Sequence, residues 1–215
     1  MATSPLLKGI PRSKRILDLA LTLIGGLVAL PLIILIAILV RVFLGSPVVF
    51  RQRRPGYRGL PFTLYKFRTM KELPGADGTP HSDFERLTPL GRLLRTTSLD
   101  ELPELYNVLR GEMSLVGPRP LLMQYLDRYT VEQARRMLAQ PGMSGWAQIN
   151  GRNNVSWEDK FALDAWYVDH WSFWLDLKIL LLTPLKVLRR EGISQPGNAT
   201  AMEFMGSKPA KGRRV

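Results

Sequence analysis

Two adjacent acids, Asp100 and Glu101, stand in the stretch SLDELPELYNVLRGEMSLVGPRP at residues 98–120. Side-by-side carboxylates in a strongly basic chain suit chemistry on an anionic substrate, with cations holding the anion and a carboxylate reacting with it. Ser98 followed by Glu101 also fits a capping box, in which Glu101 closes the start of a helix near Leu99 and does no chemistry. Asp100 would then lie in the first turn, where the positive helix end keeps a carboxylate ionised and competent as a nucleophile toward phosphorus. Downstream, Gly117, Pro118 and Pro120 fix a turn that leaves Arg119 little freedom, a preorganised guanidinium suited to bidentate phosphate binding. Lys66 and Arg68 alternate with Tyr65 and Phe67, so both cations share one strand face, as a diphosphate clamp would require. Arg92 and Arg95 share a face of a short helix over 90–95. The Gly-rich segment QPGMSGWAQINGRN at 140–153 offers Trp146, Gln148, Asn150, Arg152 and Asn153 for stacking on and hydrogen bonding to a base or sugar. A tight structural crossing of the chain explains the same glycines.

Composition narrows the chemistry. The chain has 215 residues, with 30 Lys and Arg against 18 Asp and Glu, a formal net charge of +12. That balance points to an anionic partner, and the length to one domain with a real core. No cysteine and two histidines exclude disulfides, thiol nucleophiles and His-rich metal sites. Carboxylates, Lys/Arg and an oxygen-ligated divalent ion remain.

The elements that position these groups begin with a polar, basic lead at 1–13, read as flexible. In KRILDLALTLIGGLVALPLIILIAILVR, the stretch from Leu19 to Val40 carries no charge, enough to cross a hydrocarbon core of about 30 Å. One transmembrane helix is the simple reading. Pro31 in the middle argues for a break, with Gly25 and Gly26 adding local freedom. Basic residues lie on both sides: Lys8, Arg12, Lys14 and Arg15 before, Arg41, Arg51, Arg53 and Arg54 after. Positive flanks stay cytoplasmic, so the pattern predicts a re-entrant helix–break–helix at Leu30 and Pro31 within residues 14–44. Lys14 and Asp18, one turn apart, are placed to pair. Residues 45–70 read as a basic β-hairpin and 71–88 as a loop, either connector or lid, in which His81 is incidental. Residues 121–138 read as an amphipathic helix with solvated Arg128, Arg135 and Arg136. Ser156 caps a helix ending near His170. WSFWLDLKILLLTPLKVLRR is a helix lying either in the headgroup plane or in the core. The tail, 195–215, reads as flexible and basic, which leaves 45–194 as the catalytic domain.

Taken together, GSPVVFRQRRPG, FTLYKFRTM, RLTPLGRLLRTTSLDELPELYNVLRGEMSLVGPRP, PGMSGWAQINGRN and LDLKIL resemble the small monotopic phosphoglycosyl transferases, the bacterial sugar transferases that prime glycan assembly, in their minimal catalytic form. The resemblance covers roughly residues 14–193. It implies a helix-rich α/β fold with a small β-hairpin, anchored to the cytoplasmic face of the bacterial inner membrane by a re-entrant segment and interfacial amphipathic helices. It implies transfer of a phosphosugar from a UDP-sugar to undecaprenyl phosphate, releasing UMP through an aspartyl-phosphosugar. Asp100 matches the family nucleophile and Glu101 its partner, with Mg²⁺ as cofactor held by the same two acids. Lys66, Arg68, Arg95, Arg119, Gln148, Asn150 and Arg152 are the substrate-binding candidates. Pro31 matches the helix-breaking proline, with Leu30 where the family often has serine. The expected partners are the two substrates and an anionic bilayer, not nucleic acid, and a homo-oligomer is compatible with the reading. The rival classes are a membrane-anchored nucleic-acid binder, which explains the charge, and a scaffold without catalysis, which explains the apolar segment but not DELP or GPRP.

Overall fold

The computed structural model describes residues 4–71, 82–151, 155–188 and 203–206. The N-terminal lead is less free than its composition suggests. Pro5–Lys8 forms a 3-10 turn whose Leu6 is buried in the main core. A single helix, α1 (Arg12–Phe43), follows. It runs through Leu30 and Pro31 without interruption, where the sequence reading expects a break. A mid-helix proline deletes one backbone hydrogen bond, and the remaining ladder keeps the segment helical. The inward residues Lys14, Asp18, Thr22, Gly26, Ala29, Ile33, Ile36 and Val40 recur every three or four positions and form one narrow stripe. Most of the other faces are apolar and exposed, including Leu23, Ile24, Leu27, Val28, Ile34, Leu35 and Ile38.

Both ends of α1 are anchored to the same body. Near its start, Lys14 is fully buried and donates to the Val116 carbonyl at 2.8 Å, the Tyr167 hydroxyl at 3.1 Å and Asp176 Oδ2 at 2.6 Å. Asp176 also accepts from the Tyr167 hydroxyl and from Trp171 Nε1. The expected Lys14–Asp18 pair is therefore replaced. Asp18 instead accepts the Leu115 N–H at 3.0 Å. At the other end, Ile36, Val40 and Leu44 pack with Phe67 and Leu94.

The predicted hairpin is present, as β1 (Val49–Pro55) paired antiparallel with β2 (Pro61–Phe67). A short helix α2 (Asp83–Arg86) carries a Ser82 capping box, and α3 (Pro89–Thr96) is capped by Thr88. Next come a 3-10 turn at Leu99–Glu101, α4 (Glu104–Arg110) and β3 (Ser114–Val116). The continuous helix expected over 121–138 is instead three pieces: a 3-10 turn at Met123–Arg128, α5 (Val131–Ala134) and a second 3-10 turn at Arg135–Leu138. Thr130 interrupts it by capping α5 through the Gln133 N–H. Then β4 (Gly142–Ser144) pairs parallel with β3, followed by α6 (Trp146–Asn150), α7 (Trp157–His170, capped by Ser156) and α8 (Phe173–Leu188).

Glycines make the β3–β4 contact possible. A Cβ on Gly142 would stand 2.0 Å from the Gly117 nitrogen, and one on Gly117 would stand 2.2 Å from the Gln140 carbonyl oxygen. The Gly-rich segment is thus the tight crossing. Helix α8 turns Ile179 into the core, while Trp174 and Leu181, seven residues apart, are exposed. It is a core helix with a second, outward apolar side. The C-terminal region is not uniformly loose either: Phe204, in Glu203–Gly206, is buried in an aromatic cluster. The loop expected over 71–88 falls largely outside the described residues.

Candidate active site

The turn that carries the acid pair is tighter than a helix start. Ser98 adopts a left-handed conformation with φ of 56°, and its side chain caps nothing among the described residues. The capping-box role expected for Glu101 is therefore not what the fold uses. Its carboxylate accepts from Lys66 Nζ at 2.7 Å, and Arg119 lays both terminal nitrogens of its guanidinium fork on the two oxygens. Burial alone would push the Glu101 carboxyl up, but the charges of Arg119 and Lys66 outweigh it and hold the group well below the usual carboxylate range. Glu101 is ionised and fully occupied.

Asp100 shares part of this environment. It is buried, with Lys66, Arg119 and Arg95 near enough to act on its charge. Burial, then repulsion from Glu101, raise its carboxyl to about 6, with the three cations pulling the other way. The two neighbouring acids are thereby split into one locked anion and one poised group, the pattern expected where one of a pair reacts.

Lys66 reaches the site from β2 and bridges Glu101 and a third acid, Glu104, whose Oε1 lies 3.1 Å away. Glu104 is 2% exposed, and burial pushes it up to about 7, against the pull of Lys66. Arg54, next to this cluster on β1, is lowered to about 10 by burial and then by the charge of Arg119. The Arg119 backbone is itself tied down: its carbonyl accepts from Arg136 at 2.7 Å, and Arg136 forms a buried ion pair with Asp164 at 2.8 Å.

A cavity of about 380 Å³ opens on this cluster. Glu101, Arg119, Arg95 and Ser98 line one part of it, Gln148, Lys160 and Asp164 another, with Leu115, Leu121, Met143 and Leu180 among its apolar walls. The Arg119 side chain is two-fifths accessible although protein surrounds it, because it faces this space. Of the residues singled out from sequence, Glu101, Arg95, Arg119 and Gln148 line this cavity, while Lys66 and Asp100 belong to the charge cluster around Glu101 without lining it. Arg68 does neither: its guanidinium is spent on the carbonyls of Leu44, Ser46 and Met70, where it fastens the end of α1 to the hairpin. The strand alternation places it on the face of Lys66, but β2 ends at Phe67 and the chain turns away. Asn150 is exposed and donates to the Trp146 carbonyl at 2.8 Å. Trp146 stacks on Trp166 at 4.8 Å and so is not presented to a base. Arg152 lies outside the described residues.

Sequence reasoning missed Glu104, Arg54, Arg136, Lys160 and Asp164. The i, i+4 spacing of Lys160 and Asp164 puts both on one side of α7, a signal that was readable. Arg136 gave none, since its role depends on Asp164, 28 residues later.

Among the described residues no group of three His or acidic side chains could hold a metal ion by itself. Glu101 has both oxygens committed to cations. Of the two acids expected to hold Mg²⁺, only Asp100 is left without such partners, and a single carboxylate suits a Mg²⁺ that arrives on substrate phosphates.

The model of the bacterial sugar transferase family matches residues 10–190. The chain belongs to the bacterial sugar transferase family. It is 56% identical over 194 residues to the uncharacterized sugar transferase EpsL of Bacillus subtilis, covering 90% of this chain and 96% of that one. It is 42% identical to an undecaprenyl-phosphate galactose phosphotransferase of Salmonella typhimurium, covering 69% of this chain and 35% of that one. It is also 42% identical to a UDP-glucose:undecaprenyl-phosphate glucose-1-phosphate transferase of Caulobacter vibrioides, covering 79% of this chain and 67% of that one. The chain thus spans nearly all of one relative and only about a third of another.

Proposed function

We propose that this enzyme transfers a phosphosugar from a UDP-sugar to undecaprenyl phosphate, with Asp100 as nucleophile. The observation that carries this is the split pair: a locked Glu101 holding Lys66 and Arg119, beside a buried Asp100 that is not so locked. The relatives named as undecaprenyl-phosphate sugar phosphotransferases support the overall transfer. The covalent route is argued from the chemistry of the residues.

Asp100 attacks the sugar-bearing phosphorus, a new carboxylate O–P bond forms, and the diphosphate P–O bond breaks to release UMP. An oxygen of undecaprenyl phosphate then attacks the aspartyl-phosphosugar at phosphorus. The Asp100 carboxylate is regenerated and the lipid diphosphosugar leaves. Arg119 and Arg95 stabilise charge on the phosphoryl oxygens, and Glu101 orients Arg119 and Lys66 for that task. Bound Mg²⁺, held by Asp100 and the substrate phosphates, would neutralise diphosphate charge.

The same reading accounts for α1. A helix of 32 residues, about 48 Å if straight, has both ends fixed to one body and an apolar exposed middle. With the outward apolar side of α8, this supports a domain seated on one leaflet, α1 lying along the body with its apolar faces toward lipid and both ends on the cytoplasmic face of the inner membrane. The direct test is a panel of UDP-sugars assayed for UMP release with undecaprenyl phosphate. Release with at least one sugar is expected, and release with none of them would refute the assignment.

A further inference from the structure

The segment Glu203–Gly206 packs on the body beside Tyr125, Tyr129 and the start of α7. Phe204 is 2% exposed and contacts four rings: Phe161 at 4.9 Å, Trp157 at 5.6 Å, Tyr125 at 5.7 Å and Tyr129 at 6.1 Å between centroids. Polar contacts fix the backbone around it. The Phe204 N–H donates to the Tyr125 hydroxyl at 3.1 Å, Arg128 donates to the Phe204 carbonyl, and Gln124 and Arg128 both hold Glu203. This is a built socket around one side chain.

Two of those rings support Arg136. Its guanidinium lies over Tyr129 at 5.9 Å and over Phe161 at 5.5 Å, and it donates to the Tyr129 hydroxyl at 3.2 Å. From that platform it reaches the Arg119 carbonyl, and the Arg119 side chain grips Glu101. A third ring, Trp157, opens α7, and Lys160 of the same helix lies over it at 4.4 Å while lining the cavity. We propose that Phe204 is a positioning residue: the C-terminal segment locks the aromatic platform beneath Arg136, and Arg136 thereby fixes Arg119 where the donor diphosphate binds. This rests on the assignment of Arg119 to the donor site. The physical reason is that four rings around one buried phenyl are close-packed, and its removal leaves a void into which Tyr129 and Phe161 relax.

The experiment uses the full chain in nanodiscs, comparing wild type with Phe204→Ala, Phe204→Leu and Tyr129→Phe. Phe204→Ala is expected to raise the KM for the UDP-sugar about tenfold, the scale of one weakened charge-assisted contact, without changing the KM for undecaprenyl phosphate. Tyr129→Phe, which keeps the ring but removes the hydroxyl that accepts from Arg136, should shift donor KM in the same direction. Phe204→Leu, which refills the socket, should restore most of it. Hydrogen exchange at the Gly117 amide, which donates to the Ser144 carbonyl at 2.8 Å, and at the Arg119 amide should quicken in Phe204→Ala, a readout that needs no turnover. A wild type that releases no UMP would sink the enzymatic assignment alone. Unaltered exchange at Gly117 and Arg119 in Phe204→Ala, or a fall in kcat with a rise in both KM values that tracks the loss in melting temperature, would overturn the positioning role.

Discussion

At the residue scale, the two neighbouring acids are chemically distinct because their partners are. Glu101 is ionised by Arg119 and Lys66, while burial and the Glu101 charge lift Asp100 to about 6. A carboxylate nucleophile must be deprotonated, so kcat/KM should rise as pH increases through about 6 and flatten above it. A pH–rate profile of UMP release measures that limb. Arg119→Ala should lower kcat by about 10²–10³-fold, the loss seen when one preorganised charge-stabilising donor is removed. Glu104 supplies a stability signature with a defined sign. Its folded-state group is raised to about 7 from 4.5, so between those values the folded chain holds a proton that the unfolded chain has lost. Stability should therefore fall as pH rises from 4.5 to 7, and Glu104→Gln should flatten that slope in urea unfolding at several pH values. The acid pair and Arg119 were legible in the sequence because their neighbours in the chain announce them. Glu104 and Arg136 were not, since burial and a partner far along the chain decide what they do.

At the element scale, α1 is tied into the domain by a buried charge cluster at one end and by aliphatic packing at the other. Removing one partner of a buried ion pair strands the other without water, so Lys14→Ala should cost about 3–5 kcal/mol in equilibrium unfolding. The cost should shrink in Lys14→Met/Asp176→Leu, because that double variant removes both members of the ion pair. The hairpin, α3 and α7 could be read from alternation, turn residues and caps. The 121–138 region could not, because Thr130 prefers to cap locally and the apolar periodicity hides it. Pro31 misled in the opposite direction: its chemistry predicts a break, yet the remaining backbone hydrogen bonds and the packing of both helix ends carry the helix through. The apolar pattern of α8 also left core and interface unresolved. Three dimensions show that it serves inward packing on one side and exposes Trp174 and Leu181 on the other.

At the scale of the whole molecule, the exposed apolar faces of α1 and α8 and the basic hairpin form the surface proposed to meet an anionic bilayer. The absence of cysteine makes topology easy to test by labelling. Single cysteines at Ile10 and Phe43, flanking α1, should react with a membrane-impermeant maleimide from the same side in oriented vesicles. Reaction from opposite sides would mean a spanning helix. The proposed reaction turns, however, on a covalent bond to one side chain. With UDP-sugar and Mg²⁺ but no lipid acceptor, intact-mass analysis should show the chain gaining one phosphosugar, with stoichiometric UMP, and peptide mapping should put the adduct on Asp100. Asp100→Asn should show neither. An adduct that survives in Asp100→Asn, or UMP that appears only when undecaprenyl phosphate is added, would contradict it.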